Sequence, residues 1–159
     1  MTDESESNKG PMKRHDALKQ FSREHHQGLL LCWKLREGFR KDVSTRRIKK
    51  YTIHFWKKNL RHHFQLEEKH IFPILGDNHP LVKKALSQHR RLQRLFEDKA
   101  DTSKSLSLIE EELELHIRFE ERVLFNEIQQ QATEQQLALI QEIHTDNNNC
   151  EDWKDEFWK

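Results

Sequence analysis

Apolar residues recur every three or four positions along most of the chain, with polar residues between them. That period is helical. The first run predicts a helix from about Arg14 to Arg40, with Leu18, Phe21, His25, Leu29, Cys32, Leu35 and Phe39 on one stripe. The second predicts a helix from about Ser44 to Phe72, striped by Ile48, Thr52, Phe55, Leu60 and Ile71. Ser44 or Thr45 suits its N-cap, Pro73 kinks or ends it, and Gly76-Asp77-Asn78 makes a turn. Pro80 fits the first position of a third helix, which carries Val82, Leu86, His89, Leu92 and Phe96 and fades near Ala100-Asp101. A fourth starts near Ser103 or Ser105 and carries Leu106, Ile109, Leu113, His116, Glu120, Val123 and Ile128. A shorter fifth segment runs from about Glu134 to His144, with Leu137, Ile140 and Ile143.

No alternating pattern lasts long enough for a strand. Four long amphipathic helices with short connections predict an all-α, up-down-up-down four-helix bundle. The bundle is expected over residues 13–145. A polar tail, 1–12, is expected to be disordered. A C-terminal extension, 146–159, brings two Trp and a Phe that should pack on the bundle.

Composition sharpens this picture at three points. The chain is polar, 35% charged with a mean hydropathy of −1.02, so the core is thin or holds polar groups that something satisfies. Net charge is +1, against the clustered basic excess that nucleic-acid binding needs. The basic run Arg46, Arg47, Lys49 and Lys50 reads as a solvated helix face. Two distant cysteines, no signal peptide and no long apolar run lead to the expectation of a cytoplasmic protein with no disulfide framework and no membrane span. The eleven histidines raise the question of a metal.

The second stripe holds His63 and Glu67 in its middle, where an imidazole and a carboxylate are out of place. Each of the four long helices puts at least one His in its stripe. Two segments repeat the pattern: "HFQLEEKHIF" (63–72) and "HIRFEERVLF" (116–125) both read H-x-x-x-E-E-x-x-[I/L]-F. His25 and His89 occupy matching places in the first helix of each hairpin. Residues four apart share a helix face, so His63 with Glu67, and His116 with Glu120, converge. Buried charges are costly unless paired or coordinated to metal. Mixed imidazole and carboxylate donors suit iron, manganese or zinc, and two carboxylates able to bridge favour two ions.

The stretches "SREHHQGLLL", "HFQLEEKHIFP", "SQHRRLQRL" and "HIRFEERVLF", in that order, resemble a hemerythrin-like domain of the HHE cation-binding family over residues 14 to 145. The resemblance implies a four-helix bundle around a non-haem di-iron centre. It implies that His25 and His63 hold one iron, His89 and His116 the other, and that Glu67 and Glu120 bridge them. Oxygen-carrying hemerythrins supply a fifth histidine from a His-x3-His pair on the third helix; position 93 here is Gln. Their last motif is His-x4-Asp; here it is His-x3-Glu. An open coordination position favours reaction with oxygen, peroxide or nitric oxide, or labile iron binding, over reversible oxygen carriage.

Other residues stay open at this stage. His26 competes with His25 as a ligand. His70 is a candidate fifth ligand or supporting group. Glu68 and Glu121 point away from the ligand direction, toward support or solvent, and His62 faces solvent. Cys32 is a small core hydrophobe or a redox-active thiol. His15, His54, His79 and His144 read as surface or capping groups. Three functions follow: a di-iron protein that binds or senses oxygen, nitric oxide or iron; a di-iron oxidase or peroxidase-like enzyme; and a metal-free helical interaction module. Oligomeric state is not written in the pattern.

Overall fold

The computed structural model describes residues 12–143 and 153–159, and every regular element among them is helical. Helix α1 is Asp16–Arg40. Helix α2 strings together Thr45–Phe55, a π turn at Trp56–Leu60, Arg61–Leu66, a second π turn at Glu67–Ile71 and a closing 3-10 turn at Phe72–Ile74. Helix α3 is Pro80–Glu97. Helix α4 joins Thr102–Phe119, a π turn at Glu120–Leu124 and Phe125–Gln131. Helix α5 is Glu134–Ile143. The expected tail, apart from Met12, lies outside the described residues, as do His144 and Cys150.

Side-chain caps set the helix starts. Ser44 accepts from the Arg47 amide at 3.4 Å, and the His79 ring accepts from Leu81 beside Pro80. His15 does the same for Ala17 at the start of α1. Helix α3 stops at Glu97, short of the expected Ala100. Asp98 leaves the helix with an extended backbone, and its carboxylate accepts from the Asp101 amide and the Ser105 hydroxyl. Asp101 then caps α4, which starts at Thr102, just before the Ser103 or Ser105 start expected.

The apolar interior divides in two. One core gathers Leu31, Leu35, Ile48, Tyr51, Trp56 and Phe96 with the C-terminal Phe157 and Trp158. The other gathers Leu18, Phe21, Ile71, Val82, Phe125 and Ile140. Between them lies a layer of buried His25, His63, Glu67, His89, His116 and Glu120. Along α1 and α3 the chain runs from the second core through this layer to the first; along α2 and α4 it runs the other way. No helix among the described residues is long and apolar enough to cross a membrane.

Three stripe positions differ from expectation. Phe39 is exposed because Gly38 faces the core, where a Cβ would lie 2.8 Å from Ile48 Cδ1. Val123 is exposed because the π turn at Glu120–Leu124 adds a residue to that turn, so Leu124 takes the inward place. Ile143, at the end of α5, is exposed.

Candidate metal centre

The helical period carries the six polar residues inward. His25 comes from α1, His63 and Glu67 from α2, His89 from α3, and His116 and Glu120 from α4. All six are at most 3% exposed. They form two overlapping groups, His25-His63-Glu67-Glu120 and Glu67-His89-His116-Glu120, and within each the donor atoms lie within 4.8 Å of one another.

Both carboxylates belong to both groups, and each sends one oxygen to each side. Glu67 Oε2 is 2.9 Å from His63 Nε2, while its Oε1 is 3.1 Å from His89 Nε2. Glu120 Oε1 is 2.8 Å from His25 Nε2, while its Oε2 is 3.2 Å from His116 Nε2. Close approach does not mean satisfaction. His63 Nε2, His89 Nε2, His116 Nε2, both Glu67 oxygens and Glu120 Oε2 are buried with no hydrogen-bond partner of proper geometry. Buried polar atoms left this way are costly, and a cluster of them aimed at shared points fits a cation.

Behind the layer, every imidazole has an acceptor on its other nitrogen. Glu121 Oε2 stands 2.6 Å from His25 Nδ1, Glu24 Oε1 2.7 Å from His63 Nδ1, Glu68 Oε2 2.7 Å from His89 Nδ1 and Gln88 Oε1 2.6 Å from His116 Nδ1. An acceptor at Nδ1 keeps the ring proton there and turns the Nε2 lone pair inward, the tautomer a metal ligand needs. Aromatic faces hold the rings: Phe64 stacks on His89 at 3.8 Å and Phe125 on His25 at 5.2 Å.

The imidazoles and carboxylates of the layer shift one another's titration. Burial opposes charge on His25 and His89, yet the carboxylates of Glu120 and the neighbouring glutamates outweigh it and hold both well above the ordinary histidine range. His63 is pushed up to about 9 against burial by the Glu67 charge and by the bond to Glu24. His116 moves down, because burial dominates there. Glu120 lies well below the ordinary carboxylate range and Glu67 below it, since the surrounding imidazoles outweigh burial and, for Glu67, the Glu120 charge.

The ambiguous positions separate. His26 and His62 are exposed, and His70 belongs to neither group. Glu68 and Glu121 serve behind the layer. Gln93 is exposed and bonds to Glu97, so it brings no donor to the site. Cys32 is fully buried in the first apolar core. No helical spacing in the sequence singles out Glu24 and Gln88, although each immediately precedes the lone histidine of its hairpin. The π turns likewise depart from the regular period that a sequence reading assumes. The one at Trp56–Leu60 leaves a trace, the five-residue step from Phe55 to Leu60 in a stripe otherwise spaced by three or four. Two of them begin at Glu67 and Glu120, and such turns occur often at functional sites.

Comparison with known families agrees with this geometry. The hemerythrin HHE cation binding domain matches residues 16–128. No curated protein and no solved structure gives a significant match. The match spans most of the chain, and the chain belongs to this family.

Proposed function

We propose that this member of the hemerythrin HHE cation-binding family is a non-haem di-iron protein that binds or senses oxygen, nitric oxide or iron. The carrying observation is that Glu67 and Glu120 each direct one oxygen to each pair of imidazoles. His25 and His63 would hold one ion, His89 and His116 the other, and the two carboxylates would bridge. An up-down-up-down bundle, with successive helices running in opposite directions through the layer, is the topology this reading carries.

The residues fit the group. Each position offers two imidazole nitrogens and two carboxylate oxygens, a donor set suited to iron, with manganese and zinc as competitors. Four protein donors leave coordination places free for a small ligand on a metal that prefers more. When bound, iron would supply reversible electron transfer and an open place for a diatomic molecule. The chain's own part is to fix the tautomers through Glu24, Glu68, Gln88 and Glu121, to neutralise charge through Glu67 and Glu120, and to exclude bulk water with the two apolar cores.

The test is metal content and an ultraviolet-visible spectrum on protein from iron-supplemented cells. About two irons per chain, with near-ultraviolet charge-transfer bands of a bridged pair, is the expected result. Protein that folds fully but takes up no iron, manganese or zinc would overturn it in favour of a metal-free interaction module. The free coordination places also support an oxidase or peroxidase-like reading. Repeated oxygen consumption by reduced protein selects that enzyme, and one stable adduct selects the binder or sensor.

A further inference from the structure

The two halves of the site are built on one plan with one exception. Glu24 precedes His25 in the first hairpin, and Gln88 precedes His89 in the second. Each reaches across to the His of the following helix: Glu24 Oε1 to His63 Nδ1 at 2.7 Å, Gln88 Oε1 to His116 Nδ1 at 2.6 Å. The other two imidazoles have matching carboxylates, Glu121 on His25 and Glu68 on His89. The His25-His63 position is therefore backed by two carboxylates, and the His89-His116 position by one carboxylate and one neutral amide.

A carboxylate on Nδ1–H makes the opposite nitrogen a stronger donor and adds negative charge near a bound cation; an amide oxygen accepts more weakly and adds none. Exposure deepens the difference. The Glu68 side chain is 44% exposed and screened by water, against 27% for Glu24 and 29% for Glu121. Arg14 lies 3.3 Å from Glu121 Oε1 and offsets part of its charge, but Glu121 Oε2 remains on His25. We infer that Gln88 is a positioning residue that makes the two metal positions unequal: a divalent transition-metal ion enters the His25-His63 position first, and the His89-His116 position is the weaker, exchangeable one. This rests on the two-metal site proposed above.

The experiment titrates metal-free full-length protein with cobalt(II), followed by visible absorption and calorimetry. Wild type should take two ions in two resolved steps. Gln88→Glu should tighten the second step by about 10–100-fold and draw the two together. Glu24→Gln should weaken the first step by a similar factor. Gln88→Leu, which keeps the bulk but removes the acceptor, should weaken only the second, a split that loss of packing alone would not produce. Two equal steps in wild type, or a second step that Gln88→Glu leaves unmoved, overturns the inference and leaves the two-metal site standing. Protein that binds neither cobalt nor ferrous ion overturns both.

Discussion

Glu120 and Glu121, neighbours in the chain, hold the two ring nitrogens of His25 between them, at 2.8 and 2.6 Å. In a regular α-helix, adjacent side chains do not face the same partner. The π turn that starts at Glu120 changes the local geometry, and Glu68 beside Glu67 reaches His89 from the start of another such turn. The "EE" of each repeated motif thus works as one carboxylate in the layer and one behind it.

Removing only the carboxylate behind should leave the fold and weaken the site. Glu121→Gln keeps an acceptor and a donor near Ser22 and His25 but removes the charge. Metal affinity is expected to fall about 10–100-fold, with an unchanged circular dichroism spectrum. Affinity equal to wild type by calorimetry would mean that the bond to His25 does not set the strength of that donor.

Metal that binds only the native layer must stabilise the fold. Free ferrous ion at about a hundred times its dissociation constant should add about 2.7 kcal/mol for each position it fills. For a chain of this size that raises Tm by roughly 5–10 °C. The double variant His63→Ala, His116→Ala should lose the shift altogether. Scanning calorimetry under anaerobic conditions reads it, and a Tm indifferent to iron in wild type contradicts a site formed by folding.

The all-helical architecture and the inward placement of the six residues were legible because the helical period carries both. His25, His63, His89 and His116 fall on stripes that the cores need, and His-x3-Glu spacing brings each pair to one face. What was hidden depends on departures from that period or on contacts between helices. Val123 was expected inside because a regular turn places it there; the π turn puts Leu124 there instead. Glu24 lies 39 residues from His63, and Gln88 lies 28 from His116, so no local spacing links them. The stripe favours His25 over its neighbour His26, and the helix buries the first and exposes the second.

The metal-free layer should be most stable in mild acid. His63 is raised from the ordinary 6.5 to about 9, so its contribution is full below pH 6.5 and is lost as pH rises through 9. For a fully buried group this is on the order of 3 kcal/mol at most. His25 and His89 are raised as well and act in the same direction. Glu67 and Glu120 are depressed, so their contribution is present above the ordinary 4.5 and fades as pH falls below it. Urea midpoints measured with a chelator should peak between these limits and decline toward pH 9. Iron affinity should run the other way, rising over the same interval as the imidazoles lose protons. A midpoint that climbs from pH 6.5 to 9 without metal would show that the groups of the layer do not shift one another in this way.

Cys32 should be chemically silent in the folded protein. Burial first, then the Glu110 and Glu114 charges, push its thiol up to about 12, against the opposing pull of Arg36. The thiolate that reacts is then almost absent at neutral pH, and the first core covers the sulfur. In a Cys150→Ser background, a disulfide reagent at pH 8 should label no thiol until denaturant is added, and then one. Rapid labelling of the native protein would revive the reading of Cys32 as a redox-active group.

The C-terminal segment closes the first core. Phe157 and Trp158 are buried, and their rings pack 5.9 and 5.1 Å from Tyr51. Lys34 Nζ lies 4.0 Å over the Trp158 ring, Lys41 donates to the Trp158 carbonyl, and Arg47 pairs with Asp155. Gly38 leaves the room: a Cβ there would lie 3.0 Å from the Phe157 ring. Phe157→Ala empties a filled core position and should cost about 3 kcal/mol. Tm should drop by roughly 10 °C. Bound iron per chain should stay the same, because none of the six site residues touches this segment among the contacts above. A variant that melts with wild type would mean that these residues leave the core in solution, and one that loses iron in proportion would mean that the first core and the metal layer open together.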